Sequence, residues 1–299
     1  MSATEAPPAG SRESDLGERT IRRSRLVRNT VATVCIWASV LGAVVPLAFV
    51  IGYVIREGAK VVDLHFLIDA IPISSRRPGP GMGPAIVGTL LITGSAALMA
   101  IPLGVLAAVH LAEYGRGRRL TPVIRFLSDV MAGVPSIVMG LFVYTIWVLR
   151  YGQSAFAGAL ALGALMLPIV IRSSEAMLQL VPNELREASY ALGARRSRTI
   201  LTVVLPAALP GVVSGCLLAV ARAAGETAPL LFTIGAARSF NTYLLRGANT
   251  ALSTQIFRNA QLPFAGPQER AWGAALTLIA LVLVLTVIAR VVSARFTVR

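Results

Sequence analysis

Apolar residues in this chain fall in long blocks, and short polar, arginine-bearing stretches separate them. No acidic or basic residue stands between Asn29 and Ile55. About 20 apolar residues suffice to cross a bilayer, and this run is longer than a signal-peptide core, so it predicts an uncleaved first transmembrane helix. Five more spans are expected at about Ile86–Val109, Phe126–Leu149, Phe156–Met177, Ala207–Ile234 and Trp272–Ala289. Gly133, Pro135 and Gly140 in the third are small or kinking residues that permit close packing. Between the blocks lie a mixed-charge segment over 56–84, loop-like at its end (Ser74, Ser75, Pro78, Gly79, Pro80, Gly81, Gly83), and a longer connection over 236–270. No internal repeat is visible. The pattern predicts an all-α membrane protein with six transmembrane helices in one domain.

Composition agrees: 55% of the 299 residues are hydrophobic, 14% are charged, and mean hydropathy is +0.71. A soluble domain carries about 25% charged residues. The net charge of +14 would suit nucleic acid, but the arginines cluster at the ends of apolar blocks, where they orient a membrane protein; nucleic-acid binding is not expected. Arg19, Arg22, Arg23, Arg25 and Arg28 precede the first span, Arg116, Arg118, Arg119 and Arg125 follow the second, and Arg290, Arg295 and Arg299 close the chain. These place both termini in the cytoplasm. Arg150 alone follows the third span; Arg238, Arg246, Arg258 and Arg270 against Glu269 weigh the other way, in a connection long enough to follow the rule loosely. Residues 1 to about 20, rich in Ser, Glu, Pro, Ala and Gly, are expected to be a disordered tail. Cys35 and Cys216 lie in apolar blocks, and His65 and His110 are isolated, so neither a disulfide framework nor a metal site is indicated.

Four ionisable residues within the predicted fourth and fifth spans need explaining: Arg172 and Glu175, three apart, and Arg222 and Glu226, four apart. Each pair shares a helix face. A charge at a bilayer centre costs about 2.5–3.5 kcal/mol on insertion scales, which is tolerated beside a polar path or a partner. Two intrahelical ion pairs would satisfy that requirement without any transport role. Arg222 is placed roughly 20 Å into the fifth span and Arg172 near the inner end of the fourth, which makes Arg222 the costlier residue. Gly225 and Pro229 nearby can open and bend the helix. A guanidinium beside freed amides suits a phosphate-like or sulfate-like anion, and Glu226 could hold Arg222 when the path is empty or accept a hydrogen bond from a protonated oxyanion.

A polar stretch, Glu187–Pro206, separates the fourth and fifth blocks. Helix formers meet Gly193, a usual helix stop; Arg195, Arg196 and Arg198 follow; an apolar run then begins at Ile200. This predicts a short amphipathic cytoplasmic helix, a turn and re-entry into the bilayer, although an ordinary positive-inside loop would also read so.

The order of residues here resembles the EAA loop of ABC-importer permeases. Glu187, Ala188, Gly193, Leu205 and Pro206 fall on that pattern, while Ser189 stands where a second Ala is usual and Val203 where Ile is usual. Arg222–Phe232 (RAAGETAPLLF) is similar to the fifth-helix signature of the PstA-type permeases of phosphate ABC importers, and Val134–Phe142 and Ile101–Gly115 resemble two further family stretches. The resemblance covers about 86–290. It implies a type I ABC importer permease fold in a bacterial plasma membrane, with a basic tail over 1–28, a first helix and outer segment over 29–85, a permease core over 86–292 holding the coupling loop 182–206, and a tail over 293–299. It also implies a PstC-like permease partner, two copies of a PstB-like ATPase and a PstS-like phosphate-binding protein. The chain would bind no cofactor; ATP and magnesium would be used by the ATPase, since no GxxxxGK[ST] sequence is present here. ATPase closure would push the Glu187–Gly193 helix and rock the spans, with Arg222, opposed by Glu226, contacting phosphate in transit. Arg172, beside Glu175, would serve the inner half of the route or a helix–helix pair. Open alternatives are a permease for sulfate, molybdate or an organic solute, and a stand-alone channel or secondary transporter. No catalytic constellation for an intramembrane enzyme is visible.

Overall fold

The computed structural model describes residues 23–72, 81–115 and 119–295, and every regular element among them is helical. The expected tail over 1–20, Arg19, Arg22, the loop residues Ser74–Pro80, Arg116, Arg118 and Arg299 lie outside the described residues. In order, the helices are α1 (Arg23–Gly58), α2 (Leu64–Ile68), α3 (Gly83–Val109), α4 (Leu120–Gly133), α5 (Ser136–Val143), α6 (Leu149–Tyr151), α7 (Ala155–Gln179), α8 (Asn183–Ala191), α9 (Arg196–Thr199), α10 (Leu205–Gly225), α11 (Ala228–Thr233), α12 (Leu252–Ala260) and α13 (Ala265–Arg295). Single π turns continue α3 through His110–Tyr114, join α5 to α6 through Tyr144–Val148, and join α9 to α10 through Ile200–Val204. Among the described residues five helical stretches are long and apolar enough to cross a membrane, and six if one bent pair counts as a single span.

The chain forms two units, Met1–Tyr53 and Val54–Arg299. The first contains most of α1, whose exposed Val27, Trp37, Leu41 and Phe49 point to several sides, as suits a helix in lipid. The second is built on α3, α7 and α10. Its core joins Ile92, Ala96 and Ala100 of α3, Leu162, Met166 and Val170 of α7, and Val212, Cys216 and Ala219 of α10. Lipid tails are as apolar as leucine, so close backbone approach replaces hydrophobic exclusion as the packing force, and small residues permit it. Gly211 and Gly215, four apart on α10, do this against α7: added Cβ atoms would stand 2.4 Å from Met177 Sδ and 2.3 Å from Ser173 Oγ. A second cluster gathers Phe66, Ile71 and Met82 with Leu252 of α12 and Ala274 of α13.

Three expected spans are altered. The third is two helices, α4 and α5–α6, bent by 101°. Pro135 has no N–H and pushes the preceding residue out of helical geometry; Val134 accordingly has φ −70° and ψ 126°. The fifth begins at Arg196, before the expected Ala207, and stops at Gly225, because Glu226 takes an extended backbone (φ −67°, ψ 133°) before α11 resumes. The connection over 236–270 is structured: α12 buries Ser253, Thr254, Gln255 and Asn259, and α13 already begins at Ala265. Polar partners make that burial tolerable, for Gln255 donates to Thr250 Oγ1 (2.8 Å) and the Leu252 amide to Thr89 Oγ1 (2.9 Å).

Candidate functional site

Three polar constellations occupy the second unit. The first is a cleft of about 350 Å³ between α4 and α7, lined by Arg125, Ser128, Asp129, Arg172, Glu175 and Gln179 among others. An intrahelical Arg172–Glu175 pair does not form. Arg172 is ion-paired with Asp129, and Glu175 accepts from Arg125 Nε (2.9 Å) and Nη2 (2.5 Å) and from Gln179 Nε2 (3.1 Å). The reason is register. Arg125 and Asp129 sit one turn apart on α4, Arg172 and Glu175 sit one turn apart on α7, and the two sets run in opposite order, so each charge meets its opposite on the facing helix. Glu175 is nearly buried, whereas Asp129 and Arg172 are about half exposed.

The second lies at the end of α10. Arg222 Nε is 3.7 Å from Glu226 Oε1, so this intrahelical-spacing pair does form, loosely: the Arg222 side chain is 70% exposed and that of Glu226 21%. Arg222 stands one turn from the helix end at Gly225, not in the middle of a continuous span. There a cation also meets the negative end of the helix dipole. The break itself is tied down from outside, as Ser253 Oγ of α12 donates to the Glu226 carbonyl (2.9 Å). Next to it Gly140 of α5 lies so close to Pro229 that a Cβ would stand 2.5 Å from the proline Cα. Among the described residues no ion pair joins Arg222 to the Arg172 cluster.

The third is the Glu187–Pro206 stretch. Its helix starts earlier than expected, at Asn183, and ends as predicted before Gly193, whose φ of +80° is the left-handed geometry that favours glycine. The Gly193 amide donates to the Tyr190 carbonyl (2.9 Å) and the Ala194 amide to Ser189 O (3.2 Å), closing the helix end. Glu187 and Ala188 are exposed, and α8 buries none of its residues. Ser189 Oγ shares a hydrogen bond with Thr199 Oγ1 (2.8 Å) across the turn. Leu205 and Pro206 open α10, half-buried, just after the π turn; Pro206 has no N–H to return to Thr202, which the wider turn accommodates.

Beneath α8 is a cleft of about 900 Å³ whose lining includes Glu113, Gln179, Arg186, Glu187, Tyr190 and Arg196. Arg186 Nε and Nη2 both donate to Glu113 Oε1 (3.1 and 2.8 Å), and its remaining donors reach Val181 O (2.6 Å) and Leu178 O (2.9 Å). The pair is buried, with 5% of the Glu113 side chain and 13% of Arg186 exposed. Arg196 Nη2 donates to the Glu113 backbone carbonyl, and its guanidinium carbon lies 5.0 Å from the Tyr114 ring centroid. Sequence reasoning assigned no site role to Glu113, Arg186, Arg125 or Asp129. For Arg125 and Asp129 the signal existed, as a basic and an acidic residue one turn apart like Arg172 and Glu175; for Glu113 and Arg186, 73 residues apart, it did not. Among the described residues no group of three or more His, Cys, Asp or Glu could hold a metal ion.

Comparison with known proteins adds a lineage to this geometry. The family of binding-protein-dependent transport system inner membrane components matches over residues 100–298. "Phosphate transport system permease protein PstA 1" of Mycobacterium tuberculosis is 45% identical over 271 residues, covering 88% of this chain and 88% of that protein. The PstA protein of Yersinia pestis is 41% identical over 272 residues, covering 91% and 92%. Among solved structures, the inward-facing MetNI methionine ABC transporter superposes with a TM-score of 0.61 at 19% identity, covering 72% of this chain and 95% of that one. A bacterial ABC transporter that imports alginate gives 0.56 at 16% identity, covering 92% and 100%. These two establish a shared permease fold.

Proposed function

Since the chain belongs to the binding-protein-dependent transport inner membrane components, we propose that it is the permease subunit of an ATP-driven importer of inorganic phosphate. The carrying observation is identity of 41–45% over about nine tenths of the chain to proteins named as phosphate transport permeases. It is a multi-pass membrane protein and a transport subunit, not an enzyme.

On this reading the chain forms half of a translocation path with a second, PstC-like permease. A PstS-like phosphate-binding protein delivers the anion on one face, and a PstB-like ATPase dimer, using ATP and magnesium, meets α8 on the cytoplasmic face. Both termini share that cytoplasmic side. Glu187, Ala188, Ser189 and Gly193 belong to the contact with the ATPase, and the exposed Leu192 extends it. Leu205 and Pro206 carry the motion into α10. Arg222, exposed and only loosely held by Glu226, suits an anion that must bind and leave: a guanidinium presents a fork of donors, and a carboxylate 3.7 Å away competes for them. Arg172 and Glu175, bound to α4, serve the route by holding α4 and α7 together, with the half-exposed Arg172 also open to the anion.

The test is uptake of radiolabelled phosphate into proteoliposomes holding this chain with its partners, varying ATP, the binding protein and competing sulfate. Uptake that requires ATP and the binding protein and ignores sulfate is the expected result. Uptake without ATP would sink the importer assignment; equal competition by sulfate would sink the phosphate assignment alone.

A further inference from the structure

We propose that Glu113 is a positioning residue that clasps α8 to the end of α3, so that displacement of α8 moves α3 and α7 instead of being lost in the joints beside it. The proposal rests on the reading that α8 receives force from an ATPase.

The need for a clasp follows from how α8 is attached. None of its apolar side chains is buried, and Leu185 and Tyr190 are exposed, so apolar packing does not hold it. At one end stands Pro182, with an extended backbone (φ −58°, ψ 142°); at the other stands Gly193 at φ +80° with nothing within 4 Å of its Cβ position. A short helix hung between two such joints would roll under load. Arg186 prevents this from the first turn of α8. It makes two donations to the buried Glu113 carboxylate and two to carbonyls at the end of α7, Leu178 and the nearby Val181. Arg196, beyond the Gly193 turn, grips the same short segment through the Glu113 carbonyl and the Tyr114 ring. Both flanks of the coupling stretch are thereby fastened to the π turn His110–Tyr114 that continues α3.

Burial makes the link stiff. Ion pairs in water exchange partners cheaply, but a buried carboxylate deprived of its guanidinium is left uncompensated, so the clasped arrangement is strongly preferred. The onward path is direct packing: Gly104 of α3 lies against Val170 of α7, 2.6 Å from a Cβ position to Val170 Cγ1. Coupling of this kind needs a rigid element shared by both sites, and the clasp supplies it. It also gives a role to the Ile101–Gly115 stretch, which the transport reading otherwise leaves unused.

The test compares the wild-type complex with Glu113→Gln, with Arg196→Gln, and with the exchange Glu113→Arg plus Arg186→Glu. The quantity read is phosphate taken up per ATP hydrolysed, which a mere loss of assembled complex leaves unchanged. Glu113→Gln is expected to lower the ratio roughly tenfold, Arg196→Gln by a few-fold, and the exchange to recover part of the loss. A wild-type ratio in both Glu113→Gln and Arg196→Gln would overturn the proposal; if Glu113→Gln does not assemble, Arg196→Gln decides alone. Amide hydrogen exchange separates this from failure of the importer reading. In Glu113→Gln, residues 183–191 should exchange faster while the middle of α7 does not change. Unchanged protection of 183–191 would refute the clasp even if wild-type protein imported nothing.

Discussion

Two arginine–carboxylate pairs in this chain carry the same chemistry and opposite construction. Arg186 and Glu113 meet at 2.8 Å with almost no exposure, and every remaining donor direction of the arginine finds a carbonyl or an amide oxygen. Arg222 and Glu226 meet at 3.7 Å with the arginine 70% exposed at a helix end. The first pair is surrounded by protein and cannot trade partners without leaving a buried charge. The second can trade its carboxylate for another anion at little cost, since exposed pairs are worth about 0–1 kcal/mol. Burial, more than residue type, therefore separates a fixed joint from an exchangeable contact. The α4–α7 set stands between them, with Glu175 nearly buried and Asp129 half exposed.

The contrast predicts opposite mutational signatures. Arg186→Ala should be the most damaging change to stability, by about 3–5 kcal/mol, because Glu113 is left buried and unpaired; a large fall in the melting temperature of the purified complex checks this. Gly215→Leu should come next, by about 1–3 kcal/mol, since α10 meets Ser173 of α7 without room for a side chain; the same melting measurement reads it. Arg222→Ala should shift stability by less than about 1 kcal/mol yet reduce ATP-driven phosphate uptake sharply at native complex levels. Normal uptake by that variant would remove Arg222 from the route and with it one side of the comparison.

Hydropathy and the length of the apolar runs made most of this architecture legible, because in lipid each backbone polar group must be satisfied within its own helix and long apolar runs have little other choice. What stayed hidden depended on breaks and on distant partners. The 101° bend needed Pro135 to act on Val134, and the sequence there allows either a kinked span or a broken one. The break at Glu226 was half legible: Gly225 and Pro229 signalled an opening or a bend, but not that the helix stops at Gly225. Arg172 and Glu175 suggested one another by spacing, and only the facing register of α4 reassigns them. The coupling stretch was readable up to Gly193, whereas its fastening through Glu113 joins residues that no local pattern connects.

The smallest expected effect sharpens the exchangeable side of the comparison. Glu226 keeps its geometry partly because Ser253 Oγ donates to its carbonyl across from α12. Ser253→Ala removes that donor from a half-buried carbonyl, a loss of about 0.5–1.5 kcal/mol, and leaves Arg222 untouched. If the looseness of the Arg222–Glu226 pair were a property of the two side chains alone, transport should follow the small stability change and no more. If it depends on the backbone break, Ser253→Ala should raise the concentration of binding-protein-delivered phosphate needed for half-maximal uptake, with the maximal rate little altered, because Glu226 would no longer be presented to the arginine in one orientation. Ser253→Thr, which keeps the hydroxyl, should restore the wild-type value. An unchanged half-maximal concentration in Ser253→Ala would assign the exchangeability of this pair to solvent exposure alone.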